Sequence, residues 1–289
     1  MSDEPETINP LLNYREFTPP EALRRHVRCL WHLVLDAGST HVQTVYPDGC
    51  CELIAHRKLP MHAFSEPAGW RQQERCLFAA QQRSAIRLTA REDVDCIGVR
   101  LQPAASAALL RTSLADLRDR IVDLAAVAPE FAWDFFAAAT VPGIESSVTA
   151  TWVLLERHLA ALPIDVRIEE AVHRLEACEG SGPIAPLITA SGMSERSFQS
   201  TFKQQVGLSA KEFARILRLQ AAIRMLDDDG RSMAELAIDS GFADQAHATR
   251  EVRRVTGTTP ARLRDALRQD RDGVSSVRMA AAFVRGRIG

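Results

Sequence analysis

The chain has 289 residues, of which 46% are apolar and 25% are charged, and its formal net charge is −2. These values are ordinary for a globular protein, so they exclude a mostly disordered chain and a uniformly basic, histone-like protein. At about 150 residues per domain, the length predicts two domains. The sequence has no apolar run of about 18 residues, and its start, MSDEPETINP, lacks the basic and apolar regions of a secretory signal. We therefore expect a cytoplasmic protein without a membrane partner.

The cysteines and histidines do not follow the spacing of a metal site. No CxxC pair occurs among the six cysteines, Cys29, Cys50, Cys51, Cys76, Cys96 and Cys178. We interpret them as reduced thiols, and the vicinal Cys50–Cys51 pair leaves redox sensing open. The histidines of the N-terminal half lack H-x-H spacing; they are His32, His41, His56 and His62. We expect ordinary strand or loop histidines, no metal and no cofactor.

The first half of the chain changes from a helical to a strand pattern. Thr18-Pro19-Pro20-Glu21 has the form of a capping box and predicts a helix over Ala22–Trp31. Short apolar runs then alternate with turn residues up to Leu101; these runs are Val42–Tyr46, Glu52–Ala55, Ala85–Leu88 and Cys96–Leu101. Runs of this length indicate strands. We expect a small β-sandwich or β-barrel.

From Pro103 onward the sequence is rich in alanine and leucine and predicts helices. The predicted segments are Leu114–Leu124, capped by Ser113, then Pro129–Ala139 and Ile144–Leu162. A short break at 162–165 marks the predicted domain boundary. The expected domains are residues 1–162 and 165–270, followed by a tail of little pattern at 271–289 that we expect to be poorly ordered.

A helix-turn-helix pattern lies at 184–207. Ser191-Gly192 predicts the turn and Ser194 caps the second helix, on which three apolar residues share a face, namely Phe198, Phe202 and Val206. Polar residues cover the other faces of that helix. Two short helices with this turn are typical of a DNA-binding helix-turn-helix.

The same pattern returns at 233–257. Ser232 and Glu235 predict a capping box, Ser240-Gly241 a turn and Asp244 a second cap. Between the two patterns, a capping box at Ser209 and Glu212 opens a helix of roughly 18 residues, about 27 Å long. A spacer of this length suits two recognition helices placed near the roughly 34 Å repeat of the major groove.

These features resemble the DNA-binding domain of the AraC family of bacterial transcription regulators. The matching motifs are SGMSxRxFxxxFKxxVG, R-L-x-x-A at Arg218–Ala222, IDSGFADQ and GTTPARLR, and they cover 165–268. The resemblance implies two helix-turn-helix units that read successive major-groove segments. The sequence departs from the family at Ser200, where a basic residue is usual, and at Ala248 and Val252, where aromatic residues are usual.

The N-terminal half resembles an uncharacterised domain found before AraC-type DNA-binding domains. The similar stretches are HVRCLWHL, TVYPDGCCELI and GVRLQPAA. The resemblance implies an α+β protein, with a cupin-like β-barrel or sandwich and accessory helices before an all-α DNA-binding domain. It also implies a small-molecule effector. The candidate effector-binding residues are Trp31, Tyr46, Glu52, Trp70 and Arg100.

The polar faces of the two recognition helices supply the candidate DNA contacts. They are Arg196, Gln199, Ser200 and Lys203 in the first unit, and Gln245, Thr249, Arg250, Arg253 and Arg254 in the second. Arginine pairs bidentately with guanine and glutamine with adenine, whereas lysine more often holds phosphate. Residues 181–226 and 245–268 each carry six basic and two acidic side chains, so the two units are cationic although the whole chain is not.

The leading hypothesis is a sequence-specific transcription regulator, not an enzyme, that acts at the nucleoid on promoter DNA. RNA polymerase and a second copy of the chain, the latter through Ile144–Leu162, are further expected partners. Two alternatives stay open. One is a ligand-binding adaptor with degenerate DNA-binding helices. The other is a DNA alkyl-repair enzyme with an appended DNA-binding domain, for which the sequence shows no clustered zinc cysteines and no catalytic residues.

Overall fold

The computed structural model describes residues 12–36, 42–110, 112–226 and 232–269. The predicted tail 271–289 and His41 lie outside this range. The strands in chain order are β1 (Leu12–Phe17), β2 (Val27–Leu35), β3 (Gln43–Val45), β4 (Glu52–His56), β5 (His62–Ser65), β6 (Gly69–Gln72), β7 (Cys76–Ala79), β8 (Ile86–Thr89), β9 (Val94–Leu101) and β10 (Ile121–Asp123).

The helices follow the strands with little mixing. They are α1 (Ser106–Leu110), α2 (Leu124–Val127), α3 (Pro129–Ala139), α4 (Ile144–Leu159), α5 (Val166–Ala177), α6 (Ala185–Ser191), α7 (Glu195–Val206), α8 (Ala210–Leu226), α9 (Met233–Asp239), α10 (Gln245–Thr256) and α11 (Pro260–Gln269). Among the residues described, no helix combines the length and apolar character needed to cross a membrane. The α+β fold class is confirmed.

Two antiparallel sheets form the N-terminal domain. The six-stranded sheet has the order β1-β2-β9-β4-β7-β10, and the four-stranded sheet has the order β3-β8-β5-β6. Alternate residues of the central strand β4 point to opposite faces. Leu53 and Ala55 pack in a core with Phe135 and Leu155 of α3 and α4, whereas Ile54 packs on the opposite side of the sheet with Trp31 and Leu33. The larger sheet is therefore covered by helices on one face and by the smaller sheet on the other.

Two sequence-based helix predictions in this half are wrong. Residues 22–31 form a short 3-10 helix at Glu21–Leu23 followed by strand β2, and no side-chain cap is present. Leu114–Leu124 divides into a 3-10 helix at Leu114–Asp116 and strand β10, and Ser113 makes no cap. Both segments pair with strands distant in sequence, β2 with β9 and β10 with β7, and this pairing overrides local helix signals.

The other predicted elements are confirmed, with small shifts at their ends. Helix α3 has the predicted bounds, and α4 ends three residues before the predicted Leu162. Asp165 caps α5 by accepting a hydrogen bond from the Arg167 amide at 3.0 Å. From 165 onward the described residues contain helices and no strand. The domain limits themselves stay a prediction.

Candidate nucleic-acid interface and effector pocket

The first helix-turn-helix consists of α6 and α7. Helix α6 ends at Gly192, whose φ of +66° permits the tight reversal. Ser194 then caps α7 by accepting a hydrogen bond from the Ser197 amide at 3.3 Å. Phe198 and Phe202 are fully buried, and the Phe202 ring lies 6.0 Å from that of Phe213 in α8. The apolar face of α7 is therefore fixed and its polar face is turned outward.

The second unit consists of α9 and α10 and has the same construction. The capping box of Ser232 and Glu235 is present at the start of α9. Asp244 caps α10 by accepting a hydrogen bond from the His247 amide at 2.6 Å. Ala248 and Val252, where the family usually has aromatic residues, are buried on the inward face of α10. Their small side chains still seat α10 in a closed core with α8.

Helix α8 connects the two units and packs in the cores of both. Its first turn carries the predicted capping box, in which the Ser209 amide donates to Glu212 at 2.9 Å. Its arginines hold neighbouring elements: Arg215 forms an ion pair with Glu251 of α10 at 3.0 Å, and Arg218 donates to the carbonyl of Gly180. The 17-residue helix is thus tied to α10 and to the end of α5 by side-chain contacts.

The candidate DNA-binding residues stay accessible on the surface of both units. Those that are exposed are Arg196, Ser200, Lys203, Gln245, Arg250, Arg253 and Arg254, while Gln199 and Thr249 are partly exposed. Arg254 forms an ion pair with Glu251 at 3.2 Å. Each unit therefore presents polar and cationic side chains that base edges or phosphates can reach. The assignment of a contact to each residue stays a prediction.

The N-terminal domain packs directly against both helix-turn-helix units. Near the first unit, Arg83 and Arg118 each lie 3.7 Å from the carboxylate of Glu212. Near the second unit, the Ala85 amide donates to the carbonyl of Val255 at 2.9 Å. The buried ring of Tyr46 lies in the core formed by α8, α9 and α10. These contacts join the β domain to the first turn of α8 and to the end of α10.

Four of the five candidate effector residues line two adjoining cavities. Trp31 and Glu52 line the space between the two sheets, and Tyr46, Glu52 and Arg100 line the space beside it. Trp70 lines neither of these cavities. It lies on the four-stranded sheet, with its ring 5.3 Å from that of Phe64.

Arg100 is the centre of a charged cluster in these cavities. Its guanidinium lies 3.0 Å from Glu52, 3.2 Å from Asp48 and 3.6 Å from Glu16. Burial disfavours the charged form, but the carboxylates outweigh it and raise the pKa of Arg100. Burial raises the pKa of the Glu52 carboxyl, and Arg100 opposes this shift.

Sequence reasoning missed the cavity residues His56 and Gln43. His56 was expected to be an ordinary strand histidine, yet it is 2% exposed and lines the space between the sheets, as does Gln43. The alternation Glu52, Ile54, His56 along β4 is the signal that could have found His56, since these three residues share the inward face.

Burial of the vicinal cysteines disfavours a reactive pair. Cys50 and Cys51 are both buried and neither forms a disulfide, and burial raises the pKa of the Cys51 thiol to about 12. A thiol with such a pKa is protonated at neutral pH and is a weak nucleophile. Redox sensing by this pair is therefore disfavoured.

Two family descriptions match this chain. One, described as a helix-turn-helix domain, matches residues 187–266. The other is a domain of unknown function, DUF6597, and matches residues 15–123. The first match runs from within α6 into α11, and the second runs from within β1 to the end of β10.

Curated relatives are transcriptional regulators. The chain is 33% identical over 82 residues to the probable transcription factor PqrA of Proteus vulgaris. This alignment covers 28% of this chain and 67% of PqrA. It is 26% identical over 134 residues to the regulator GlxA of Rhizobium meliloti, covering 46% of this chain and 39% of GlxA. It is 28% identical over 101 residues to MtrA of Neisseria gonorrhoeae, covering 35% of this chain and 34% of MtrA. The chain thus spans little more than a third of the length of the last two.

Solved structures include ToxT from Vibrio cholerae, which is 7% identical, with a TM-score of 0.43 over 88% of this chain and 98% of ToxT. The DNA-binding domain of AdpA in complex with a target DNA is 27% identical, with a TM-score of 0.35 over 37% of this chain and 96% of that one.

The two helix-turn-helix units on one connecting helix define a DNA-binding protein of the double helix-turn-helix class. The relatives found by sequence narrow this class to one family. The chain belongs to the AraC family of transcriptional regulators.

Proposed function

We propose that this protein is a sequence-specific DNA-binding regulator of transcription whose N-terminal β domain binds a small-molecule effector. The observation that carries the proposal is the pair of capped recognition helices, α7 and α10, each with a buried apolar face and an exposed cationic face. Two such helices fixed to one long helix suit two successive major-groove segments. The effector part rests on the cavities beside Arg100 and on their closeness to α8.

Specific DNA binding is tested by selection from random DNA sequences, followed by gel shifts with the enriched site. Arg196→Ala and Arg250→Ala should each weaken specific binding by about 1–3 kcal/mol. Arg174→Ala is the matched control, because Arg174 is an exposed arginine on α5 outside both recognition helices. The assignment fails if neither recognition-helix variant differs from this control.

The same selection separates the two alternatives. An adaptor with degenerate helices would enrich no DNA sequence. The complete caps and buried cores of both units favour the regulator instead. The curated relatives are transcriptional regulators, and such proteins are not enzymes. This disfavours the alkyl-repair alternative. A methyl-transfer assay on alkylated DNA tests it.

We propose further that the protein forms a homodimer and contacts RNA polymerase. It would act in the cytoplasm, at the nucleoid. Helix α4 exposes 63% of Val153 and the neighbouring α3 exposes 76% of Trp133. Exposed apolar side chains on adjacent helices suit a protein contact. Sedimentation should show a dimer that Val153→Asp weakens, and a sedimentation profile unaffected by this change would exclude α4 as the interface.

A further inference from the structure

The cavity between the two sheets is mostly apolar and adjoins a second, charged space. Its walls include Leu33, Leu77 and Leu88, and it measures about 70 Å³. The charged space measures about 60 Å³ and contains Asp48 and Arg100. The two share the wall residues Val45, Glu52, Ala79 and Ile86. Together they are slightly smaller than an apolar cavity of about 150 Å³ that holds benzene, so they suit a molecule with no more than one small ring.

Three buried polar atoms of the apolar cavity lack hydrogen-bond partners among the described residues. Both ring nitrogens of His56 and the Oε1 atom of Gln43 are buried and have no partner among the described residues. His56 is 2% exposed and Gln43 is 7% exposed. Buried polar atoms in native proteins are nearly always paired, and an unpaired one costs free energy. These atoms therefore indicate a polar group supplied from outside the chain.

The charge state of His56 defines what that group must offer. Burial, assisted by the nearby Arg75, lowers the pKa of His56 to about 4. At neutral pH the imidazole is uncharged, so one ring nitrogen donates and the other accepts. Gln43 adds an acceptor oxygen. A hydroxyl or carboxamide group can donate to one of these atoms and accept from another, whereas a hydrocarbon can do neither.

The charged space disfavours an anion. Arg100 is already surrounded by the carboxylates of Glu52, Asp48 and Glu16 within 3.6 Å. The guanidinium therefore offers no surplus positive charge, and a ligand carboxylate would meet three acidic neighbours.

We propose that the effector is an uncharged, ring-sized molecule with a largely apolar surface and one hydroxyl or carboxamide group, which His56 and Gln43 hold between the two sheets. The regulatory role of this ligand rests on the proposed function. The binding chemistry itself follows from the cavity.

The test is a ligand-detected NMR titration of the full chain with three probes of one size: benzyl alcohol, toluene and benzoate. Benzyl alcohol should bind about tenfold more tightly than toluene, because its hydroxyl pairs with buried groups. Benzoate should bind more weakly than benzyl alcohol. His56→Leu should reduce the affinity for benzyl alcohol to that for toluene, and Gln43→Met serves the same purpose if His56→Leu does not fold.

Leu59→Ala is the matched control, since Leu59 is an exposed apolar residue of the same domain that lines neither cavity, and it should bind all three probes as the unaltered chain does. Ala79→Leu, which fills the shared wall, should abolish binding. The proposal is overturned if benzoate binds as tightly as benzyl alcohol, if the polar-residue variants keep the preference, or if no probe binds the folded chain. A gel shift with the selected DNA, in the absence of the three small molecules, tests DNA binding separately. A failure of the ligand proposal can therefore be told from a failure of the proposed DNA-binding function.

Discussion

Gly98 of strand β9 lies directly against the indole ring of Trp31 on strand β2. A Cβ atom added at Gly98 would lie 2.1 Å from both Cε2 and Cζ2 of Trp31. The two residues are cross-strand partners, so the absence of a side chain at one position makes room for the large ring at the other. The ring in turn forms part of the wall of the cavity and donates to Glu52 at 3.2 Å.

Gly98→Ala should therefore destabilise the fold by about 2 to 3 kcal/mol, because the added methyl group must displace a buried ring. Urea unfolding measures the effect. In a Trp31→Ala background the same change should cost almost nothing, since the clash is gone. A double-mutant cycle with no coupling between the two sites would contradict the packing.

The helix-turn-helix half was predictable in detail because its signals are local. Ser194, Asp244 and the capping boxes each act within three residues of the chain, and Gly192 reverses the chain directly after α6. Such contacts depend only on neighbouring positions, so the local sequence pattern predicts them.

The β domain was predicted less well because its elements depend on distant partners. The spacing of Leu23, Val27 and Leu30 fits a helix, yet pairing with β1 and β9 makes this segment a strand. The strand β1 itself was not predicted. Trp70 and His56 show the same limit for the pocket, since the packing of one sheet on the other decides which side chains face the cavity.

The acid sensitivity of the protein should depend on His56. Its pKa is about 4 in the folded chain and about 6.5 when unfolded. As pH falls below 6.5, the unfolded state takes up a proton that the folded state excludes. Stability is therefore fully present above pH 6.5 and is lost progressively down to pH 4, by about 3 kcal/mol.

His56→Leu should remove this part of the pH dependence, as measured by urea unfolding at intervals between pH 7 and pH 4. His173→Gln provides the control, because His173 is exposed on α5, and should leave the slope unchanged. If the His56→Leu slope equals that of the unaltered chain, the histidine is not excluded from protonation in the folded state.

The cap at the start of the second recognition helix should contribute measurably to stability. Asp244 accepts a hydrogen bond from the His247 amide at 2.6 Å. Asp244→Ala should cost about 1 kcal/mol, whereas Asp244→Asn, which keeps a capping oxygen, should cost less. Thermal unfolding of the three proteins checks this order. Equal midpoints for all three would show that the cap adds nothing.

Lys203 is expected to hold a phosphate, and the salt dependence of DNA binding tests this role. It is exposed on α7, and among the described residues no ion pair or hydrogen bond involves its ammonium group. Each phosphate contact contributes about −0.9 to the slope of log Kobs against log salt concentration. Lys203→Gln should therefore make the slope shallower by about that amount and weaken specific and non-specific DNA to a similar degree.

Lys58→Gln is the matched control for this measurement, because Lys58 is an exposed lysine of the β domain that pairs with Asp93 at 3.2 Å. Lys58→Gln should leave the salt slope unchanged, because Lys58 lies outside both helix-turn-helix units. A Lys203→Gln protein that keeps the full slope but loses preference for the selected site would instead assign Lys203 to a base edge, because base contacts carry sequence information and phosphate contacts do not.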